Sequence, residues 1–142
     1  FLNRKMPAYI DTGLNLIDVT DCARGHILAE EKGRPGERYI LGNKNMSLKE
    51  ILLALETLTG LKAPCIKMPY WVTYAAGLAC EWASDNITHQ PPSVPLAGVK
   101  MAKYFMYFDP SKAIRELGLP QNPVENALGQ AVRWFKENPV LS

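Results

Sequence analysis

Leu14, Leu16, Ile17 and Val19 are apolar and mostly β-prone, and Thr20 and Asp21 follow them with side-chain oxygens. This pattern predicts a strand over Leu14 to Val19 that runs into a helix. Thr20 and Asp21 are the expected caps, because the first N–H groups of a helix lack intrahelical partners. A second apolar stretch, Arg38 to Leu41, then completes a strand-helix-strand unit of βαβ type. After a polar turn over Asn43 to Met46, Ser47 and Glu50 have the spacing of a capping box, and Gly60 supplies a left-handed stop. Between them Leu48, Ile51, Leu52, Leu55 and Leu58 recur at helical spacing. Burying five such side chains at roughly 1.5 to 3 kcal/mol each outweighs a cap of about 1 kcal/mol. Packing therefore fixes this helix, and the cap fixes its start.

Further along, Pro64 to Met68 reads as a short extended passage, and Pro69 suits the first turn of a helix from Trp71 to Trp82. Val72, Ala75, Ala76 and Ala79 give that helix a small-residue face, expected to receive a close neighbour. Ser84 to Pro95, with Asn86, Gln90, Pro91, Pro92 and Pro95, predicts a loop, either the rim or lid of a cleft or a plain connector. A short helix over Pro95 to Lys103 and a β-like Tyr104 to Phe108 come next. Asp109 caps a helix with Pro110 in its first turn, ended by Gly118 and Pro120. Asn122 and Glu125 repeat the cap spacing, and Val124, Leu128, Ala131, Val132 and Phe135 carry a last helix toward Pro139. No sequence repeat or low-complexity tract interrupts this order.

Composition narrows the class. With 142 residues, 47% of them hydrophobic, the chain suffices for one ordinary packed domain. A net charge of +2 with mixed signs gives no reason to expect a polyanionic partner such as nucleic acid. Lys100, Lys103 and Lys112 lie near aromatics, but amphipathic patterning accounts for those rings as core. No apolar run approaches the roughly 18 residues of a membrane span. Cys22, Cys65 and Cys80 are odd in number and widely separated, which fits neither a disulfide framework nor a zinc site. They are expected to be reduced and packed as small apolar groups, in a cytoplasmic protein. Phe1 to Lys5 reads as the end of a helix, so the sequence is expected to begin inside an element.

Taken together, these segments resemble the C-terminal half of an extended short-chain dehydrogenase/reductase, of the NAD-dependent epimerase/dehydratase superfamily. Asn15 to His26 resembles that family's His-Val-Asp-Asp-Val-Ala strand-to-helix signature, and Gly33 to Gly42 stands where its last core strand lies. Leu48 to Gly60 resembles its helix ending in Leu-Thr-Gly, and Ser111 to Gly118 its Lys-Ala-x-x-x-Leu-Gly segment. Ala131 to Phe135 is similar to its closing helix. Met6 to Gly13 and Gly36 to Gly42 are most similar to the dihydroflavonol-4-reductase-like branch and the hopanoid-associated sugar epimerases. The family's signature His is Asp18 here and its first Asp is Thr20, whereas Asp21 and Ala23 match. Asp21 is read as a cap holding the preceding loop.

The resemblance implies an α/β fold, the last βαβ portion of a Rossmann-like sheet over residues 1–42, followed by a mainly helical substrate-binding domain over residues 43–142. It implies NAD or NADP in the parent protein, a sugar derivative or hydroxy/keto compound as small-molecule substrate, and an N-terminal Rossmann portion as partner. The family's hydride chemistry needs a glycine-rich turn and a Tyr followed four residues later by Lys. Neither occurs in this sequence. The chain alone is therefore expected to be inactive and to bind no cofactor. Its strand edges, without a larger sheet, suggest a homo-oligomer or aggregation.

Two histidines provide neither a catalytic triad nor a metal set: His26 is expected on a helix surface and His89 in the proline-rich loop, facing solvent or a ligand. What remains is a substrate surface in the loop from Met6 to Asn15. Tyr9, Asp11 and Asn15 offer hydrogen bonds to hydroxyl groups, and Met6 offers apolar area. Asn15 stands near a position where related plant reductases place an amide against the substrate. A surface turn built on Asp11-Thr12-Gly13 is the structural alternative. Two other readings compete with the enzyme part: a non-catalytic interaction or regulatory module on the same fold, and a self-contained helical domain.

Overall fold

The computed structural model describes residues 1–4, 6–84, 86, 91 and 95–138. Strands β1 (Ala8–Ile10) and β2 (Gly13–Leu16) lead into helix α1 (Val19–Lys32). Strand β3 (Lys44–Ser47), helix α2 (Leu48–Thr59), strand β4 (Ile66–Met68) and helix α3 (Tyr70–Ala83) follow. Helices α4 (Leu96–Ala102), α5 (Ser111–Leu117) and α6 (Val124–Glu137) complete the order. The α/β class expected from the sequence is what the chain adopts, with its helices concentrated toward the C-terminus.

The strands pair two by two among the described residues. β1 runs parallel to β4, with Tyr9 opposite Lys67, and β2 runs antiparallel to β3, with Leu14 opposite Met46 and Asn15 opposite Asn45. Lys44 to Met46 is thus not the polar turn the sequence suggested. Its exposed Lys44 and Asn45 are tolerated because β3 buries Met46, and backbone pairing rather than side-chain hydropathy holds it. Conversely, Arg38 to Leu41 forms no strand, since nothing among the described residues pairs with it. Tyr39 and Leu41 instead pack on a cluster of Leu28, Ala113, Leu117 and Leu119 joining α1 to α5. A second cluster, Met46, Ile51 and Val124 with Leu14 and Leu16, joins the β2–β3 pair to α2 and α6. β2 therefore lies on one core, while Ile17 just beyond it packs on the other.

Helix ends explain several boundaries. Ser47 and Glu50 form the expected capping box: the Ser47 N–H donates to Glu50 Oε2 at 2.7 Å, and the Glu50 N–H to Ser47 Oγ at 3.2 Å. Gly60 and Gly118 end α2 and α5 with φ of 72° and 74°, conformations that glycine adopts without strain. Asp109 accepts the Ser111 N–H at 2.9 Å, but it stands one residue before the cap position of α5, which Pro110 occupies with no side-chain cap hydrogen bond, so the expected Asp109 cap is displaced by one residue. At α1 the expectation needs correction: Val19 belongs to the helix, and Asp18 is the cap, accepting the Thr20 N–H at 2.7 Å.

Asp21 caps nothing. It is 2% exposed and accepts the Asn122 N–H at 2.8 Å and Asn122 Nδ2 at 2.6 Å. Asn122 is accordingly not the cap of α6, because its side chain is held by Asp21. Phe1 to Arg4 forms a turn closed by Arg4 N–H to Phe1 O at 2.9 Å, not the end of a helix. Cys22 and Cys80 are half-buried and Cys65 is exposed, so the expected burial of all three does not occur.

In α3 the small alanines are not the packed face: Ala75, Ala76 and Ala79 are exposed, while Thr73 and Gly77 are buried. Glycine decides this. A Cβ at Gly77 would lie 3.3 Å from Leu96 Cδ1 and 3.5 Å from Val99 Cγ2, so α4 seats where that side chain is missing. Most of the proline-rich loop, His89 included, lies outside the described residues.

Candidate functional site

The stretch from Met6 to Asn15 is not a free loop. It folds as β1, a corner at Asp11 and Thr12, and β2. Thr12 is buried there; its hydroxyl donates to Tyr104 O at 3.4 Å and its carbonyl accepts the Leu48 N–H at 2.8 Å, tying the corner to the start of α2. A Cβ on Gly13 would fall 2.4 Å from the Tyr107 ring, so that ring lies across a backbone that only glycine leaves open.

Segment 104–108, read as a strand, makes one parallel bridge, Leu14 with Met106. Asn15 N–H donates to Met106 O at 3.0 Å, and Met106 N–H to Gly13 O at 2.8 Å. The Asn45 amide fastens the end of the segment: Oδ1 accepts the Phe108 N–H at 3.1 Å and Nδ2 donates to Phe108 O at 3.1 Å. One side-chain amide thereby reproduces a strand's donor and acceptor pair.

The four candidate residues separate on this frame. Tyr9 is half-buried on β1, and Asp11 lies exposed just past it, its Oδ2 2.6 Å from Lys67 Nζ. The hydrogen bond to Asp11 raises the Lys67 ammonium pKa above its ordinary value, with Coulomb attraction to the same carboxylate adding to it. Both side chains are more than half exposed, so the pair orients rather than stabilises. Asn15 uses its amide internally: Oδ1 accepts the Asn43 N–H at 3.0 Å, and Nδ2 donates to Asn45 Oδ1 at 2.8 Å. Met6 lines a different depression, of about 400 Å³, with Phe1, Arg4, Leu61, Lys62 and Pro64.

The structure thus brings together Tyr9, Asp11 and Lys67. Lys67 was not singled out in the sequence, because only the parallel β1–β4 register places it opposite Tyr9. A phenol, a carboxylate and an ammonium can orient hydroxyl or carbonyl groups. His26 is exposed on α1 with Nδ1 2.8 Å from Cys22 O, as a surface histidine. No group of three His, Cys, Asp or Glu side chains is placed to hold a metal among the described residues. Nor does the β2–α1 turn suit a dinucleotide pyrophosphate: the Asp18 carboxylate already accepts the Thr20 N–H there, and a second carboxylate, Asp21, follows in the first turn.

No protein-family model matches the chain. It is 48% identical, over 97% of its length, to a Synechocystis sp. protein described as a dihydroflavonol 4-reductase, of which it spans 41%. Among solved structures, a nucleoside-diphosphate-sugar epimerase from Pseudomonas aeruginosa superposes with a TM-score of 0.69 at 27% identity, over 99% of this chain and 41% of that one. A UDP-glucuronic acid 4-epimerase from Bacillus cereus, solved with NAD, shares the fold with a TM-score of 0.60 at 17% identity, over 96% and 36% of the two chains. The chain therefore spans about two-fifths of the relatives it matches. No helix among the described residues is long and apolar enough to cross a membrane.

Proposed function

From the chain's membership of the extended short-chain dehydrogenase/reductase and epimerase family, whose C-terminal portion it represents, we propose that it supplies the substrate-facing surface of an NAD(P)-dependent reductase or epimerase. In this reading residues 1–42 close a Rossmann-like core and residues 43–142 form the helical substrate part, joined by the β2–β3 ladder. The observation that supports it is the grouping of Tyr9, Asp11 and Lys67 beside the buried Thr12 and Gly13 corner. Tyr9 and the Asp11–Lys67 pair hold hydroxyl groups of a sugar derivative or hydroxy/keto compound. Hydride transfer is assigned to groups outside this sequence, which contains no Gly-x-Gly-x-x-Gly and no Tyr followed four residues later by Lys.

The experiment is a titration of the 142-residue chain with NAD, NADP and a panel of nucleotide sugars and dihydroflavonols, read by calorimetry and amide chemical shifts. Expected is no cofactor binding, with shifts around Tyr9 and Asp11 from one substrate class that Asp11→Ala abolishes. Tight cofactor binding or turnover by the chain alone would overturn the reading. Exposed Ile66, Trp71, Tyr104 and Phe108 favour a second reading, a non-catalytic interaction module. That module predicts no substrate-dependent shifts at all.

A further inference from the structure

Asn15, Asn43, Asn45 and Asn122 are brought together from distant parts of the chain, and their hydrogen bonds join end to end. At one end the Asp21 carboxylate, 2% exposed, accepts the Asn122 N–H at 2.8 Å and Asn122 Nδ2 at 2.6 Å. Asn43 Nδ2 donates to Asn122 O at 2.7 Å, and the Asn43 N–H donates to Asn15 Oδ1 at 3.0 Å. Asn15 Nδ2 then donates to Asn45 Oδ1 at 2.8 Å and reaches Phe108 O at 3.4 Å, while Asn45 holds both the N–H and the carbonyl of Phe108. The run thus passes without a gap from the first turn of α1 to segment 104–108, through partners 101, 79, 28, 30 and 63 positions apart.

Two features make this more than a set of local contacts. A carboxamide is planar, so its acceptor and its donors turn together. From the Asn43 N–H onward the amides are threaded head to tail, oxygen accepting and nitrogen donating, so that each hydrogen bond polarises the next by about 10 to 30%. The backbone is also shaped around the central amide. A Cβ on Gly42 would fall 2.5 Å from Asn15 Oδ1, and Gln121 Nε2, donating to Gly42 O at 3.1 Å, holds that backbone in place.

We propose that these four asparagines are positioning residues acting as one unit, which sets segment 104–108, and with it the Tyr107 ring across Gly13, from the anchored carboxylate of Asp21. Asn15 builds the wall of the candidate site and does not touch a ligand. The proposal concerns the wall and not what the site binds, so it stands or falls independently of the substrate reading.

Native-state amide exchange of the full chain, read by NMR, tests it, with circular dichroism showing that each variant is folded. Asn43→Ala removes the Nδ2 donor to Asn122, keeps the backbone N–H to Asn15, and deletes no hydrogen bond to 104–108. Expected is exchange at the Met106 and Phe108 N–H groups about threefold to tenfold faster, the scale of coupling within one hydrogen-bond network. Contacts acting separately would leave both amides as they were. Asn15→Asp and Asn15→Ala ask how the amide acts. The carboxylate keeps the shape and the acceptor but aims oxygen at Asn45 Oδ1 and Phe108 O, so it should loosen Phe108 more than the smaller alanine does. A side chain that merely fills space gives the opposite order. Gly60→Ala, strained at a φ of 72° at the end of α2, controls for general destabilisation: it lowers the urea midpoint and leaves the Phe108 amide resonance in place. Unchanged exchange in Asn43→Ala, Asn15→Asp no looser than Asn15→Ala, or an equal response to Gly60→Ala would each overturn the proposal.

Discussion

Replacing Asp21 with Ala removes the acceptor of two hydrogen bonds from a residue 101 positions away, at a site with 2% exposure. Hydrogen bonds to a charged group contribute about 1.5 to 3 kcal/mol each. Asn122 is itself exposed, so its freed donors reach water and roughly half of that sum is recovered. The net expectation is a loss of about 1.5 to 3 kcal/mol. At about 3 to 4 °C per kcal/mol for a chain of this length, the melting temperature falls by about 5 to 12 °C.

Asn122→Ala removes the Nδ2 donor but keeps the backbone N–H, and should cost about 1 to 2 kcal/mol. Asp18→Ala, which deletes the true cap of α1, should cost about 1 kcal/mol. Urea unfolding of the single variants and the Asp21/Asn122 double variant gives the coupling, expected near 1 kcal/mol. An Asp21→Ala cost below that of Asp18→Ala would refute the reasoning. So would an Asp21/Asn122 coupling under about 0.3 kcal/mol.

Two further expectations concern the same chain. Leu117 is fully buried between α1 and α5, so Leu117→Ala should cost about 2 to 5 kcal/mol, and a loss under about 1 kcal/mol in denaturant unfolding would show that this cluster can collapse. Hydrogen bonds hold the Glu37, Glu50, Asp109, Glu116 and Glu125 carboxyls below their ordinary pKa, through Lys112, Ser47, Ser111, Arg34 and Lys44 respectively. Depressed carboxylates bind fewer protons folded than unfolded, so their stabilisation is present above the ordinary range and is lost as pH falls from that range through the lower folded values. The urea midpoint should drop below about pH 4, modestly because all five are exposed, and a midpoint that rises there would contradict the assignment.

The parts legible in the sequence were those whose cause is local. Ser47, Glu50 and Gly60 mark α2 because each acts within one helical turn, and Gly118 does the same for the end of α5. The misread parts had distant causes. Asp21 stands where a cap could stand, and nothing near it in sequence reveals Asn122. Lys44 and Asn45 have turn chemistry, yet the antiparallel register with β2 makes them a strand. Arg38 to Leu41 has strand chemistry and no strand partner among the described residues to realise it. At the candidate site, Tyr9 and Asp11 were recognisable as groups able to hydrogen-bond hydroxyls, whereas Lys67 enters through parallel pairing with Tyr9, which brings it to Asp11 across 56 positions. Asn15 was read as free to meet a ligand, but its amide is consumed by Asn43 and Asn45.

The tie between Asp21 and Asn122, with Leu28 waiting on Leu117 and Leu119, constrains how the chain can mature during synthesis. Synthesis runs from the N- to the C-terminal side, so α1 emerges with its buried face uncovered and stays so until Leu117 to Asn122 have left the ribosome. α2 has local signals at both ends, but its buried Ile51 likewise waits on Val124. α1 is completed by a residue 101 positions later, and a ribosome that stalls before Asn122 releases a chain in which α1 has nothing to close against.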